Sequence, residues 1–264
     1  MRNIKLLVEY DGTQLSGWQR QAPRRPASQG PEDVRDAWAP TVQQHLEEAI
    51  AQIVQHEVTV TGASRTDAGV SARGQVACFQ TEKSIPAHGF RRGLNSLLPK
   101  AISIREAEDV GLEFHPRFAA SGKLYRYTIL TRPERSPLLP RAWHLPQSLD
   151  LPAIRAGAAA LLGEHDFSAF RAAGCTARTT LRRVDAIDIA PAGELVTIDI
   201  RGNAFLRQMV RIIVGTLIDN PGQVAEILAG KDRTQAGQTA PAEGLELVAV
   251  FYDGTRVSSG SGSR

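Results

Sequence analysis

The stretch GASRTDAGVSARGQVACF, Gly62 to Phe79, decides the reading of the chain. Before it, Glu57-Val58-Thr59-Val60-Thr61 alternates β-branched residues. After its polar centre, Gln75-Val76-Ala77-Cys78-Phe79 is apolar and suits a strand. Arg65, Thr66 and Asp67, followed by the small residues Ala68 and Gly69, therefore fall at a strand end, where a fixed scaffold presents side chains to a ligand. If the chain is still extended there, Arg65 and Asp67 point to the same side, and the guanidinium favours an ionised carboxylate able to act as a nucleophile. Gly69 admits another backbone or a nucleotide at close range. Spacing alone equally allows a plain turn, with Asp67 as its former and Arg65 as a surface partner, which is the commoner use of such residues.

Working outward, residues 3–10 (NIKLLVEY) read as a strand ending in the turn signal Asp11-Gly12, and GWQRQ follows at Gly17–Gln21. Ala22–Pro40 holds Pro23, Pro26, Pro31 and Pro40 beside Arg24 and Arg25, and reads as a long irregular loop that Trp38 pins at its end. Thr41 and Gln44 form a capping box, and Val42, Leu46, Ile50 and Ile53 make one apolar helix face. A helix over 85–98 and a strand over 101–108 complete a β-α-β-β-α-β pattern. His115, beside Pro116, reads as a structural residue of the crossing between halves.

The second half opens with the strand Lys123–Leu130, whose period of two puts Lys123, Tyr125 and Tyr127 on one face and Arg126 on the other. Asp150 caps a helix over 151–162. The His165-Asp166 pair reads as a turn rather than a dyad. Strands follow near 184–189 and 195–201, then a helix over 205–217 with Arg207 and Arg211 on its polar side, and a last strand over 243–250. The fold expected is α+β: two ferredoxin-like, RRM-like subdomains, over 1–112 and 113–255, with antiparallel sheets flanked by helices and a cleft between them, then a flexible tail over 256–264.

The 264 residues, 42% hydrophobic and 22% charged, describe a globular protein with room for two domains. No apolar run reaches about 18 residues, and Met1 leads straight into a strand pattern, so neither a membrane span nor a secretory signal is expected. Cys78 and Cys175 have neither metal-ligand spacing nor a disulfide framework, and read as reduced thiols of a cytosolic protein. Net charge is only +3, but 26 Arg stand against 5 Lys, a bias that suits phosphate recognition and equally a source genome's codon usage.

The signature resembles that of the tRNA pseudouridine synthase A family, GRTDAGVHA followed by GQV and an apolar pair. The match covers Arg65-Thr66-Asp67-Ala68-Gly69-Val70, Ala72 and Gly74-Gln75-Val76. Ser64 stands where the family has Gly, Ser71 where it has His, and Leu15 where an aromatic is common. The resemblance extends through YDG, GWQRQ, KxYRY, GExDF, NAFxRxMVR and EGLxLVAV, nearly from Lys5 to Tyr252. It implies conversion of uridine to pseudouridine at positions 38, 39 and 40 of the tRNA anticodon arm, by a cytoplasmic homodimer without metal or organic cofactor. Asp67 is then the nucleophile, toward ribose C1′ or uracil C6. Tyr125, Arg65, Arg211 and Leu245 are expected to hold the extruded nucleotide, with Arg211 paired to Asp67, and Arg20, Lys123, Arg171 and Arg207 to contact RNA. The rival reading is a non-catalytic RNA-binding protein of two RRM-like domains, which calls for a ring-rich strand motif that this sequence, 6% aromatic, lacks.

Overall fold

The computed structural model describes residues 1–20 and 40–252. The proline-rich loop with Arg24, Arg25 and Trp38, and the tail, lie outside the described residues. In chain order the first half holds β1 (Arg2–Tyr10), α1 (Val42–Val54), β2 (Thr61–Gly62), β3 (Ser71–Thr81), α2 (Ala87–Leu97) and β4 (Ile102–Val110). The second half holds β5 (Gly122–Leu130), β6 (Trp143–His144), α3 (Leu151–Ala159), β7 (Gly163–Asp166), β8 (Leu181–Ala192), β9 (Leu195–Gly202), α4 (Met209–Asp219), α5 (Val224–Gly230) and β10 (Leu245–Phe251).

The two antiparallel sets join into one sheet of order β4-β1-β3-β10-β5-β9-β8-β7, with β2 on β3 and β6 on β5. The last strand of the sequence is thus the seam. β10 runs parallel to β3 over Glu246–Ser71 and Leu247–Ala72, and antiparallel to β5 from Leu245 opposite Tyr127 to Phe251 opposite Gly122. This pairing brings the end of the signature stretch, which β3 continues, beside the tyrosine strand β5.

Two elements differ from the sequence pattern for physical reasons. The alternating run Glu57–Thr61 forms a ladder only at Thr61–Gly62, because α1 has taken the backbone groups of Val60. Its N–H donates to Glu47 Oε1 (3.1 Å), and its carbonyl accepts from Gln43 Nε2 (2.9 Å). His165-Asp166 belongs to a short edge strand rather than a turn: β7 pairs with Leu181–Val184 of β8, entered through Gly163 at φ +99°. The two side chains do not converge. His165 Nε2 lies 2.7 Å from the Leu162 carbonyl, and Asp166 accepts from Ser168 N and Oγ.

Both N-caps form, with Thr41 Oγ1 accepting from Gln44 N and Asp150 Oδ1 from Ala153 N, while the Gln44 side-chain amide donates onward to Glu48 Oε1 (2.9 Å), so the expected capping box shows its Thr41 half. The core is continuous across the seam, from Ile4, Leu6, Phe79 and Phe90 in the first half to Tyr127, Phe167, Phe170 and Ile213 in the second. Burial on this scale, near 25 cal/mol per Å² of apolar area, is what holds both halves to one sheet.

Candidate active site

Asp67 sits on the loop between β2 and β3, and the GWQRQ segment fixes the loop's backbone. Trp18 N donates to Thr66 O (3.1 Å), and Gly69 N to Leu15 O (3.3 Å). Gly17, at φ +85°, lies so close that a Cβ there would stand 2.7 Å from Thr66 O and 2.9 Å from the Asp67 carbonyl carbon. Only glycine meets both demands. From below, buried Tyr10 bonds Thr66 Oγ1 (2.8 Å). Ser71, where the family signature carries His, is 1% exposed and accepts the Gly12 N–H (3.0 Å), tying the YDG turn to the start of β3. Gly69, at φ +84°, faces the segment leading into β10: a Cβ there would lie 3.1 Å from Ala242 Cβ.

The carboxylate's ion pair comes from the other half of the chain. Arg211, in the first turn of α4, donates from Nη1 to Asp67 Oδ2 at 3.1 Å and from Nε to the buried Ala240 carbonyl at 2.7 Å. Side-chain exposures of 13% for Arg211 and 29% for Asp67 leave the acid reachable while its partner is enclosed. Arg65 does not play this part. It is exposed and, among the described residues, forms no ion pair with Asp67. Residues 64–67 belong to no paired strand, and the ion pair of Asp67 goes to Arg211 instead.

Tyr125 of β5 lies close enough to Asp67 for the carboxylate's charge to act on its phenol. Burial, with that charge adding, pushes the phenol up to about 12 against a counteracting hydrogen bond from Ser64. The ring is 6% exposed and meets Phe205 edge-on at 5.3 Å. Its hydroxyl is 2.8 Å from Ser64 Oγ, and Lys123 Nζ approaches the same oxygen at 3.4 Å. Lys123 is 9% exposed, and burial together with Arg117 and Arg182 lowers its ammonium to about 8. Leu245 opens β10 opposite Tyr127 and is buried.

The remaining cations divide. Arg171 and Arg207 are exposed, and both act on Cys175: Arg207 through a backbone N–H, Arg171 through its charge. Arg207 Nη1 also holds Ala173 O (3.1 Å). Arg207 precedes α4, because Gln208 takes a left-handed conformation at φ +57°, so Arg207 and Arg211 share no helix face. Arg20 pairs with Glu47 (3.2 Å) while its side chain stays 52% exposed. Sequence reasoning missed Ser64, Phe205, Arg117 and Arg182 as neighbours of the site. Ser64 had one visible signal, its departure from the signature's glycine. Among the described residues no group of three or more His, Cys, Asp or Glu side chains could hold a metal ion, and no helix is long and apolar enough to cross a membrane.

An acid on a strand-end loop is thus held by an arginine from the other half of the chain, with a tyrosine near enough to feel its charge. The family model for tRNA pseudouridine synthase matches residues 7–119 and 158–253. The chain belongs to this family, and it isomerises uridine to pseudouridine in tRNA. Relatives named tRNA pseudouridine synthase A align nearly end to end. The protein from Geobacter sp. (strain M21) is 49% identical over 260 residues, covering 96% of this chain and 99% of the relative. That of Geobacter sulfurreducens is 46% identical over 259 residues, covering 96% and 100%. That of Acetivibrio thermocellus is 42% identical over 259 residues with the same coverage.

Proposed function

We propose that this chain acts on uridines 38, 39 and 40 of the tRNA anticodon arm, with Asp67 as the nucleophile. The observation that carries the reading is the Asp67–Arg211 pair, which joins two residues 144 positions apart beside the Tyr125 ring. A carboxylate held by an enclosed guanidinium is aimed, and its own partial exposure leaves it open to a nucleotide. The reaction breaks the bond between N1 and ribose C1′, turns the uracil and joins C5 to C1′. C5 gives up a proton and N1 gains one, so no atom is added and no redox partner is called for. Asp67 attacks C1′ or C6, and the covalent bond it forms is released when C5 has joined the sugar.

Reaching the target requires the uridine to leave its stack, at a cost of a few kcal/mol. Tyr125 and Leu245 line the base's resting place, and exposed Arg65, Arg171 and Arg207 supply phosphate contacts. Lys123, enclosed behind Ser64, adds positive field, and Arg20 contributes through the half of its side chain that Glu47 leaves exposed. The protein is read as a cytoplasmic homodimer working without a metal or organic cofactor. The rival, a non-catalytic reader of RNA, needs several open rings on its sheet, whereas Tyr10 and Tyr127 are exposed by 2% and 0%. Mapping pseudouridine in tRNA from a strain lacking this protein tests the assignment. Loss at 38–40 alone is expected, and loss elsewhere with 38–40 intact would refute it.

A further inference from the structure

Ser64 is held more tightly than a loop residue needs to be. Its N–H donates to Gln75 Oε1 (3.1 Å) and its carbonyl accepts from Gln75 Nε2 (2.7 Å), with Gln75 fully buried. That clamp leaves only its hydroxyl free to choose partners. Two polar groups reach it: Tyr125 Oη at 2.8 Å and Lys123 Nζ at 3.4 Å. An ammonium can only donate, so Ser64 Oγ accepts from Lys123. A serine hydroxyl carries one proton. If it accepted from Tyr125 as well, that proton would be buried without an acceptor, which is costly at a residue 9% exposed. Turned the other way, with Ser64 donating, the proton left over is the Tyr125 phenol's; a hydroxyl that already accepts from an ammonium is the better donor, so the favoured chain runs from Lys123 to Ser64 to Tyr125.

We propose that Ser64 and Lys123 are positioning residues for the Tyr125 phenol: the lysine makes the serine a donor to Tyr125, which frees the tyrosine's own O–H to point at the bound uridine. The inference rests on the reading above that Tyr125 lies against the base. Burial and the facing charges of Arg117 and Arg182 bring the Lys123 ammonium down to about 8. Beyond Ser64, the other charges in line are Asp67, acting on Tyr125, and Arg211, paired to Asp67. Once Lys123 is neutral, its lone pair can accept from Ser64. The serine then turns, and the tyrosine proton is drawn back toward Ser64 and away from the base.

The test is single-turnover tritium release from C5-labelled tRNA at saturating enzyme, across pH 6.5 to 9.5. It compares wild type, Ser64→Ala, Tyr125→Phe and the double variant. Ser64→Ala is expected to slow release by roughly three- to tenfold, the size of one hydrogen bond, with the half-saturating tRNA concentration unchanged. The wild-type rate should fall above about pH 8 and the Ser64→Ala rate should not. In the Tyr125→Phe background Ser64→Ala should cost nothing further, because the hydroxyl it serves is gone. Ser64→Gly should behave as Ser64→Ala does, so the question stays answerable if that variant folds poorly; Lys123→Met should slow release similarly while also weakening tRNA binding. Losses that multiply in the double variant, a wild-type rate in Ser64→Ala, or a fall above pH 8 that survives in it would overturn the proposal. A wild-type protein that releases no tritium would overturn the functional reading together with it.

Discussion

Replacing Arg211 with methionine keeps an unbranched stem as far as the position of Nε and removes two hydrogen bonds of unequal kind. The bond to Ala240 O is 2.7 Å, and Ala240 is fully buried, so its carbonyl loses a partner that water cannot replace, at about 1–3 kcal/mol. The bond to Asp67 is 3.1 Å, and that carboxylate, 29% exposed, recovers part of its hydration, so this share is about 1 kcal/mol. Together the loss is about 2–4 kcal/mol, a fall in Tm of roughly 5–15 °C for a chain of this size. The backbone bond from Ala240 N to Arg211 O survives, so the local fold is retained. The catalytic cost is of similar size: an acid no longer held within about 1 Å of its working position loses on the order of a hundredfold in rate. Single-turnover tritium release on saturating tRNA, beside a thermal melt, separates the two effects. Arg211→Lys keeps the charge but cannot fork between Asp67 and Ala240, and should fall between wild type and Arg211→Met. A methionine variant that melts early yet turns over within twofold of wild type would refute the reasoning. It would make Arg211 a strut for the Ala240 segment and nothing more.

Three further outcomes follow from the same geometry. Tyr125→Phe keeps the ring edge on Phe205 and loses only the hydroxyl, whereas Tyr125→Ala loses both, so single-turnover rates should rank Phe above Ala; equal inactivity would make the hydroxyl the whole contribution. Gly17→Ala places a methyl 2.7 Å from Thr66 O at φ +85°, so it should cut kcat roughly tenfold or more by moving the Asp67 loop; unchanged kinetics would show that the loop holds its place without this contact. Asp166, held by Ser168 and by further bonds to Thr180 and Lys231, titrates well below its ordinary 3.8. Its contribution is therefore fully present above about pH 4 and lost as pH falls through the folded value. Asp166→Asn should flatten the acid limb of a stability–pH curve while leaving stability changes above pH 5 flat, and an unaltered acid limb would assign the acid sensitivity elsewhere.

What was legible in the sequence was whatever a local pattern encodes. The tyrosine strand, the Thr41 and Asp150 caps and the strand after the signature all appear where periodicity and capping chemistry put them. What was not legible depends on partners distant in sequence. Glu57–Thr61 has the composition of a strand, but Gln43 and Glu47 of α1 had already claimed Val60's backbone groups. Arg65 is two residues from Asp67 and the local choice of partner, yet the structure uses Arg211. The resemblance to the family named that pair, and spacing could not. The helix boundary moved from 205 to Met209 because Gln208 adopts a left-handed backbone that no glycine announces, which took Arg207 off the helix. No feature of 243–250 marks it as the strand that joins the two halves. Ser64 read only as a departure from the signature, since its role depends on Lys123 and Tyr125 arriving from β5.

Asp67 carries the account, and replacing it tests the account most directly. Purified Asp67→Ala and Asp67→Asn should release no tritium from C5-labelled tRNA above background. Both should still bind tRNA with near wild-type affinity and salt dependence, because affinity rests on dispersed phosphate contacts and chemistry on one carboxylate. Appreciable release by purified Asp67→Ala would contradict the assignment of Asp67 as the nucleophile.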